Sequence, residues 1–304
     1  MANKLTLYTH AFKAMGSICE LKFYLPTQTE MDRIAKLAVK EVARFEEKYT
    51  RYKPTSITSK INGNAGKLKP VRVDHETAAL LDYADRLYDQ SDGLFDITSG
   101  VLRKAWDFKS GQLPTKEVIE PLLELIAWRD VVRDNESIRL PKAGMQIDFG
   151  GFVKEYTADV VSSLCVDNGV VNGIINLGGD IKVIGPHPDG LPWCVGIQHP
   201  RVANTAIATV NIASGAIATS GDYERYMIVD GVRYCHLLNP KTGASLQPKL
   251  ASVSIIAESC LLAGSFSTIS MLNSQKDKDY LQGIDLPYLQ IDQSMNIAGT
   301  IKQT

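Results

Sequence analysis

Near residue 230 the chain reads Met227-Ile228-Val229-Asp230-Gly231-Val232-Arg233-Tyr234. Two short apolar-rich runs separated by Asp-Gly specify a tight two-residue hairpin, because Asp and Gly tolerate the positive φ angles that such a turn demands. The same pattern of short strands recurs around it. Trp193 to Gln198 and Ala206 to Ile212 alternate in polarity, and Val253 to Ala257, Tyr288 to Ile291 and Asn296 to Ala298 read as further strands. Earlier in the chain, Ser17 to Tyr24 alternates, and Met145 to Phe149 and Ile174 to Leu177 read as strands.

Helices lie between these strands. Met31, Ile34, Ala35, Ala38, Val42, Phe45 and Tyr49 follow helical spacing. A second helix runs from the N-cap Asp74 to Tyr88, with the polar stretch Lys60 to Lys69 before it as a loop. A third begins after Gly150-Gly151, turns Val153, Thr157, Val160, Val161, Leu164 and Cys165 inward and stops at Gly169. A fourth spans Glu258 to Leu272. Hairpins outnumber strand-helix-strand crossovers, so the expected class is α+β, mainly antiparallel sheets with flanking helices. With no internal repeat, low-complexity segment or linker, residues 1–304 are expected to form a single domain.

Composition narrows the function. A net charge of −1 carries no clustered cationic excess of the kind nucleic acid requires. No stretch approaches the ~20 apolar residues of a membrane span. The N-terminus, Met1 to His10, lacks the apolar run of a signal peptide, so the chain as given is expected to be cytoplasmic; removal of a leader would instead make it exported or lipid-anchored. Cys19, Cys165, Cys194, Cys235 and Cys260 are odd in number and widely spaced, which favours buried free thiols over disulfides or a cysteine zinc site.

Five clusters combine residues capable of chemistry. Asp148-Phe149-Gly150-Gly151-Phe152-Val153-Lys154 turns a strand into a helix through two glycines. Glycines let backbone amides approach an anion, a helix N-terminus is partly positive, and Lys154 adds a full charge, so the segment suits a phosphate or pyrophosphate. A plain tight turn explains the same pattern. Asn176-Leu177-Gly178-Gly179-Asp180 is either a second backbone approach to a ligand or a turn. Thr219-Ser220-Gly221-Asp222-Tyr223-Glu224-Arg225 reads as a ligand loop or as a solvated turn. Tyr234 to Gly243 places His236 ahead of an Asn239-Pro240 turn, where it is a candidate general base or phosphate donor. Gly93 to Thr98 follows a helix stop; Phe95 there and Trp106 beyond are expected in the core.

In order and combination, these motifs resemble the ApbE family from Met15-Gly16-Ser17 to Thr268. The opening Met-Gly-Thr is Met15-Gly16-Ser17; Gly-x-Phe-Asp-Pro-Thr is Gly93 to Thr98, with Ile97 for Pro; Asp-Leu-Gly-Gly-x-x-Lys-Gly-Tyr is Asp148 to Tyr156, with Phe149 and Glu155 as departures. The resemblance implies a two-lobed α+β fold with FAD in the groove. It also implies Mg²⁺-dependent transfer of FMN from FAD to a Thr or Ser hydroxyl of a partner flavoprotein, a subunit of a redox system, with release of AMP. By the same resemblance Met15, Asp96, Asp148, Lys154, Asp180, Ser220, Tyr223 and Leu238 are expected to contact FAD, and His236 to act at the reacting phosphate. The metal would take the Gly151 carbonyl and the Thr268 hydroxyl. The family's Asp on that helix is Gly264 here, and Asn239 stands for another Asp, so Asp222 or Glu258 is a candidate replacement carboxylate and Gly264→Asp a candidate repair. Two alternatives stay open: a non-catalytic FAD-binding homologue without the metal site, and an FAD pyrophosphatase giving FMN and AMP.

Overall fold

The computed structural model describes residues 4–274 and 280–304, so the N-terminal reading over Met1 to His10 falls partly outside it. The chain opens with β1 (Thr6–Ala14), β2 (Ser17–Leu25), α1 (Gln28–Tyr49) and α2 (Ile57–Asn62). Next come β3 (Val71–Arg72), α3 (His75–Gln90), α4 (Lys116–Leu123), β4 (Val132–Arg133), β5 (Ser137–Arg139) and α5 (Val153–Asp167). Strands then dominate: β6 (Gly173–Leu177), β7 (Asp180–Gly185), β8 (Trp193–Gln198), β9 (Ala206–Ile212), β10 (Gly215–Gly221), β11 (Tyr226–Val229), β12 (Val232–Cys235) and β13 (Leu250–Ala257). The chain closes with α6 (Cys260–Asn273), β14 (Tyr288–Asp292) and β15 (Ile297–Gly299).

The central sheet has eight strands in the order β1-β2-β6-β7-β10-β13-β14-β15, and among the described residues every strand pairing is antiparallel. This is the expected α+β class. Residues alternate between its two faces. Ile175 and Leu177 of β6 pack with α1 and α5, whereas Ile174 of the same strand packs with the β8–β9 ribbon. Helices therefore cover one face and a two-stranded ribbon the other. The buried stripe of α1 is Met31, Ile34, Ala35, Ala38, Val42, Phe45 and Tyr49, as its spacing predicts, and Asp74 caps α3 by accepting the Thr77 N–H.

Several expectations need correction. Met145 to Phe149 is not a strand. The segment is extended, but the Asn62 amide satisfies the Ile147 backbone in place of a neighbouring strand, accepting its N–H at 2.8 Å and donating to its carbonyl at 3.0 Å. Lys60 belongs to α2, capped by Ser56, and not to a loop. Thr219 to Gly221 ends strand β10 instead of forming a loop. Cys194 is exposed, unlike the other four free cysteines. Among the described residues, no helix is long and apolar enough to cross a membrane.

Candidate active site

The β1–β2 hairpin turns on Met15 and Gly16, with φ of 51° and 75°. This is the primed turn that a two-residue hairpin favours, and Met15 adopts it despite its side chain. A Cβ on Gly16 would lie 3.8 Å from Arg225 Nη2, so the turn faces that guanidinium.

Across from it, the 145–149 segment delivers Asp148. Its carboxylate accepts the Gly150 N–H at 2.8 Å, orders the glycine turn before α5, and lies 3.5 Å from Arg51 and 3.6 Å from Arg103. His236 follows β12 and donates its backbone N–H to the Arg225 carbonyl at 2.9 Å. Its Nδ1 is sealed from solvent with no hydrogen-bond partner. Burial first, then the charges of Arg103 and Arg225, push the imidazole pKa down to about 4, so the ring is neutral at pH 7. Burial and the nearby cations Arg51 and Arg225 also lower the Arg103 pKa, against the pull of Asp148. Arg51 and Arg103 beside the Asp148 carboxylate, with Arg225 near Arg103 and the neutral His236 imidazole, leave a net positive site that suits a polyanion.

The other expected site residues fall in separate places. The Lys154 ammonium donates to the Leu177 carbonyl at 3.1 Å and pairs with the buried Asp180 carboxylate. Its charge is thus occupied within the protein, tying α5 to the β6–β7 turn. Asp96 is buried and accepts from the Thr98 N–H and hydroxyl at 2.7 and 2.6 Å, and burial raises its pKa. Ser220 shares hydrogen bonds with the Ser267 and Thr268 hydroxyls at 2.8 and 2.9 Å, which joins β10 to α6. The Tyr223 ring lies over Gly221, where any side chain would collide with it, and burial pushes its phenol pKa up. Leu238 packs against the Leu102, Trp106 and Met227 cluster; Phe95 and Trp106 are themselves buried.

Among the described residues, no group of three or more His, Cys, Asp or Glu side chains is placed to hold a metal. Asp222 is held by Arg201 at 2.6 and 2.8 Å and by Gln293 at 3.0 Å. Glu258 is exposed ahead of α6. Asn239 is a turn residue, its side chain accepting the Lys241 N–H at 2.8 Å. Gly264→Asp is not a simple repair, because a Cβ there would meet Glu155 Cγ at 2.5 Å.

Sequence reasoning missed Arg51, Arg103 and Arg225 as a group. They come from three distant segments; only Arg225 lies in a local motif, the Thr219 to Arg225 run, and nothing there points to the other two.

The model of the ApbE family matches residues 15–287. A protein of Vibrio cholerae named FAD:protein FMN transferase is 27% identical over 271 residues, covering 87% of this chain and 78% of its own length. One of Chlamydia pneumoniae with the same name is 32% identical over 241 residues, covering 77% of this chain and 74% of its own. The crystal structure of the ApbE protein of Thermotoga maritima superposes with a TM-score of 0.87 at 30% identity, covering 97% of each chain. With the family's motifs in order along a matching fold, the chain belongs to the ApbE family.

Proposed function

We propose that this protein transfers FMN from FAD to a Thr or Ser hydroxyl of a partner flavoprotein and releases AMP. Its relatives from Vibrio cholerae, Chlamydia pneumoniae and Klebsiella pneumoniae carry the name FAD:protein FMN transferase. The observation that carries the reading to this chain is the neutral His236 imidazole beside Arg103 and Arg225, its Nδ1 sealed and without a hydrogen-bond partner. A diphosphate between those arginines would be neutralised, and a ring nitrogen able to accept a proton would stand beside it.

The reaction asks little covalent help of the protein. The acceptor oxygen attacks the phosphorus on the FMN side, the bridging P–O bond breaks, and AMP leaves with that oxygen. His236 takes the hydroxyl proton. Its basicity is depressed partly by Arg103 and Arg225, and the negative charge of bound FAD offsets that term. Arg51 and Arg103 hold phosphate oxygens, Asp148 keeps both guanidinium groups in place, and the Gly150-Gly151 turn allows close backbone approach. Met15, Tyr223 and Leu238 would border the flavin and adenosine, with Ser220, Asp96, Asp180 and Lys154 supporting the walls. A Mg²⁺ held by the Gly151 carbonyl and Thr268 hydroxyl, when bound, would draw charge from the phosphates and assist AMP departure.

The test is AMP release from FAD and Mg²⁺, with and without an acceptor domain bearing a surface Thr. Release that requires the acceptor supports transfer. Release of equal rate without it favours the pyrophosphatase alternative, and FAD binding without any release favours the non-catalytic one.

A further inference from the structure

We propose that Glu155 is the carboxylate ligand of the dication site, reaching it from α5 through the space that Gly264 leaves open on α6. This rests on the transfer reading for its phosphate partner. A Cβ built on Gly264 would lie 2.5 Å from Glu155 Cγ and 3.1 Å from both Cδ and Oε1, so the Glu155 side chain fills the place where a residue-264 side chain would begin. The sequence departs from the family pattern at both positions, and the two departures touch: the carboxylate has moved from one helix to the facing one.

Among the described residues, no other residue hydrogen-bonds the Glu155 carboxylate. It is 8% exposed, and its Oε2 is sealed from solvent without a hydrogen-bond partner. A buried carboxylate oxygen left bare is costly, and a bound cation removes the cost. Neighbouring groups are already committed. The Lys154 ammonium is turned to Leu177 and Asp180. Asp159, one turn further along α5, accepts the Cys260 and Leu261 N–H groups at 2.8 and 2.9 Å and caps α6. Tyr83 spends its hydroxyl on Ser265 Oγ at 3.0 Å. Thr268 lies four residues beyond Gly264, on the same face of α6, and Gly151 lies in the turn that opens α5. One carboxylate, one hydroxyl and one carbonyl, completed by water and substrate phosphate, is a donor set that Mg²⁺ accepts.

The experiment uses Mn²⁺ as the probe, titrated against the full-length protein with and without FAD and followed by electron paramagnetic resonance of free Mn²⁺. Wild type is expected to take up Mn²⁺, more tightly with FAD present. Glu155→Gln keeps the shape but removes the charge, and its Mn²⁺ affinity should fall at least tenfold while affinity for FAD alone is unchanged. Glu155→Gly should lose Mn²⁺ likewise, and the exchange Glu155→Gly with Gly264→Asp should recover it, which decides the matter even if Glu155→Gln fails to fold. Unchanged Mn²⁺ affinity in Glu155→Gln or Glu155→Gly, or no Mn²⁺ uptake by the wild type, overturns the assignment. If Mn²⁺ uptake depends on Glu155 yet no AMP is released with an acceptor, the ligand assignment stands and the transfer reading falls.

Discussion

Replacing Lys154 by Ala tests whether that ammonium serves the fold or the phosphates. If it awaited a phosphate, its loss would leave the ligand-free protein as stable as before. The structure predicts otherwise. The Asp180 side chain is 6% exposed and Lys154 24%, so truncation strands a nearly buried carboxylate and leaves the Leu177 carbonyl without its donor. Breaking a fully buried pair costs roughly 3–5 kcal/mol, and partial access of water at Lys154 reduces this to about 2–3 kcal/mol. For a chain of this size that is a fall in melting temperature of about 3–5 °C. Thermal unfolding of the ligand-free protein measures it. Lys154→Ala with Asp180→Asn should recover much of the loss, because the stranded charge is gone. An unmoved melting temperature together with a large loss of FAD affinity would refute the argument and return Lys154 to the phosphates.

Three further outcomes follow from the same geometry. Arg103→Met or Arg225→Met should weaken FAD binding by roughly tenfold or more, the worth of a charge-assisted contact of about 1.5–3 kcal/mol, and leave riboflavin binding unchanged in calorimetry. Gly264→Asp alone should destabilise the protein by about 1–3 kcal/mol through collision with Glu155, read by urea unfolding, instead of improving the site. The His236 pKa falls from 6.5 unfolded to about 4 folded, so below 6.5 the unfolded state binds more protons. Ligand-free stability should therefore rise from pH 4 to 6.5 by about 3 kcal/mol and then level off, a slope that His236→Gln should flatten in urea titrations.

Secondary structure was legible where the pattern was amphipathic and local: the α1 stripe, the Asp74 cap, the Asp230-Gly231 hairpin and the β8–β9 ribbon all follow from spacing. It was illegible where a side chain replaced a ladder. Met145 to Phe149 has the burial of a strand, but its partner is the amide of Asn62, 85 residues earlier. β1 escaped because it is an edge strand with one face half-exposed, which blurs alternation. Of the candidate site, the glycine turns and His236 were marked by local sequence, since each is a rare local combination. The arginine cluster could not, because Arg51, Arg103 and Arg225 meet only through tertiary folding. Glu155 and Gly264 stood out as two separate anomalies, and only the packing of α5 on α6 makes them one.

The central claim is that FMN is moved to a protein hydroxyl. Incubation with FAD, Mg²⁺ and an acceptor domain bearing a surface Thr, followed by intact mass measurement of the acceptor, tests it most directly. The account predicts a gain equal to FMN less one water, matched mole for mole by AMP, absent with His236→Ala and absent when the acceptor Thr is replaced by Val. An acceptor of unchanged mass while wild-type protein holds FAD and Mg²⁺ would contradict it.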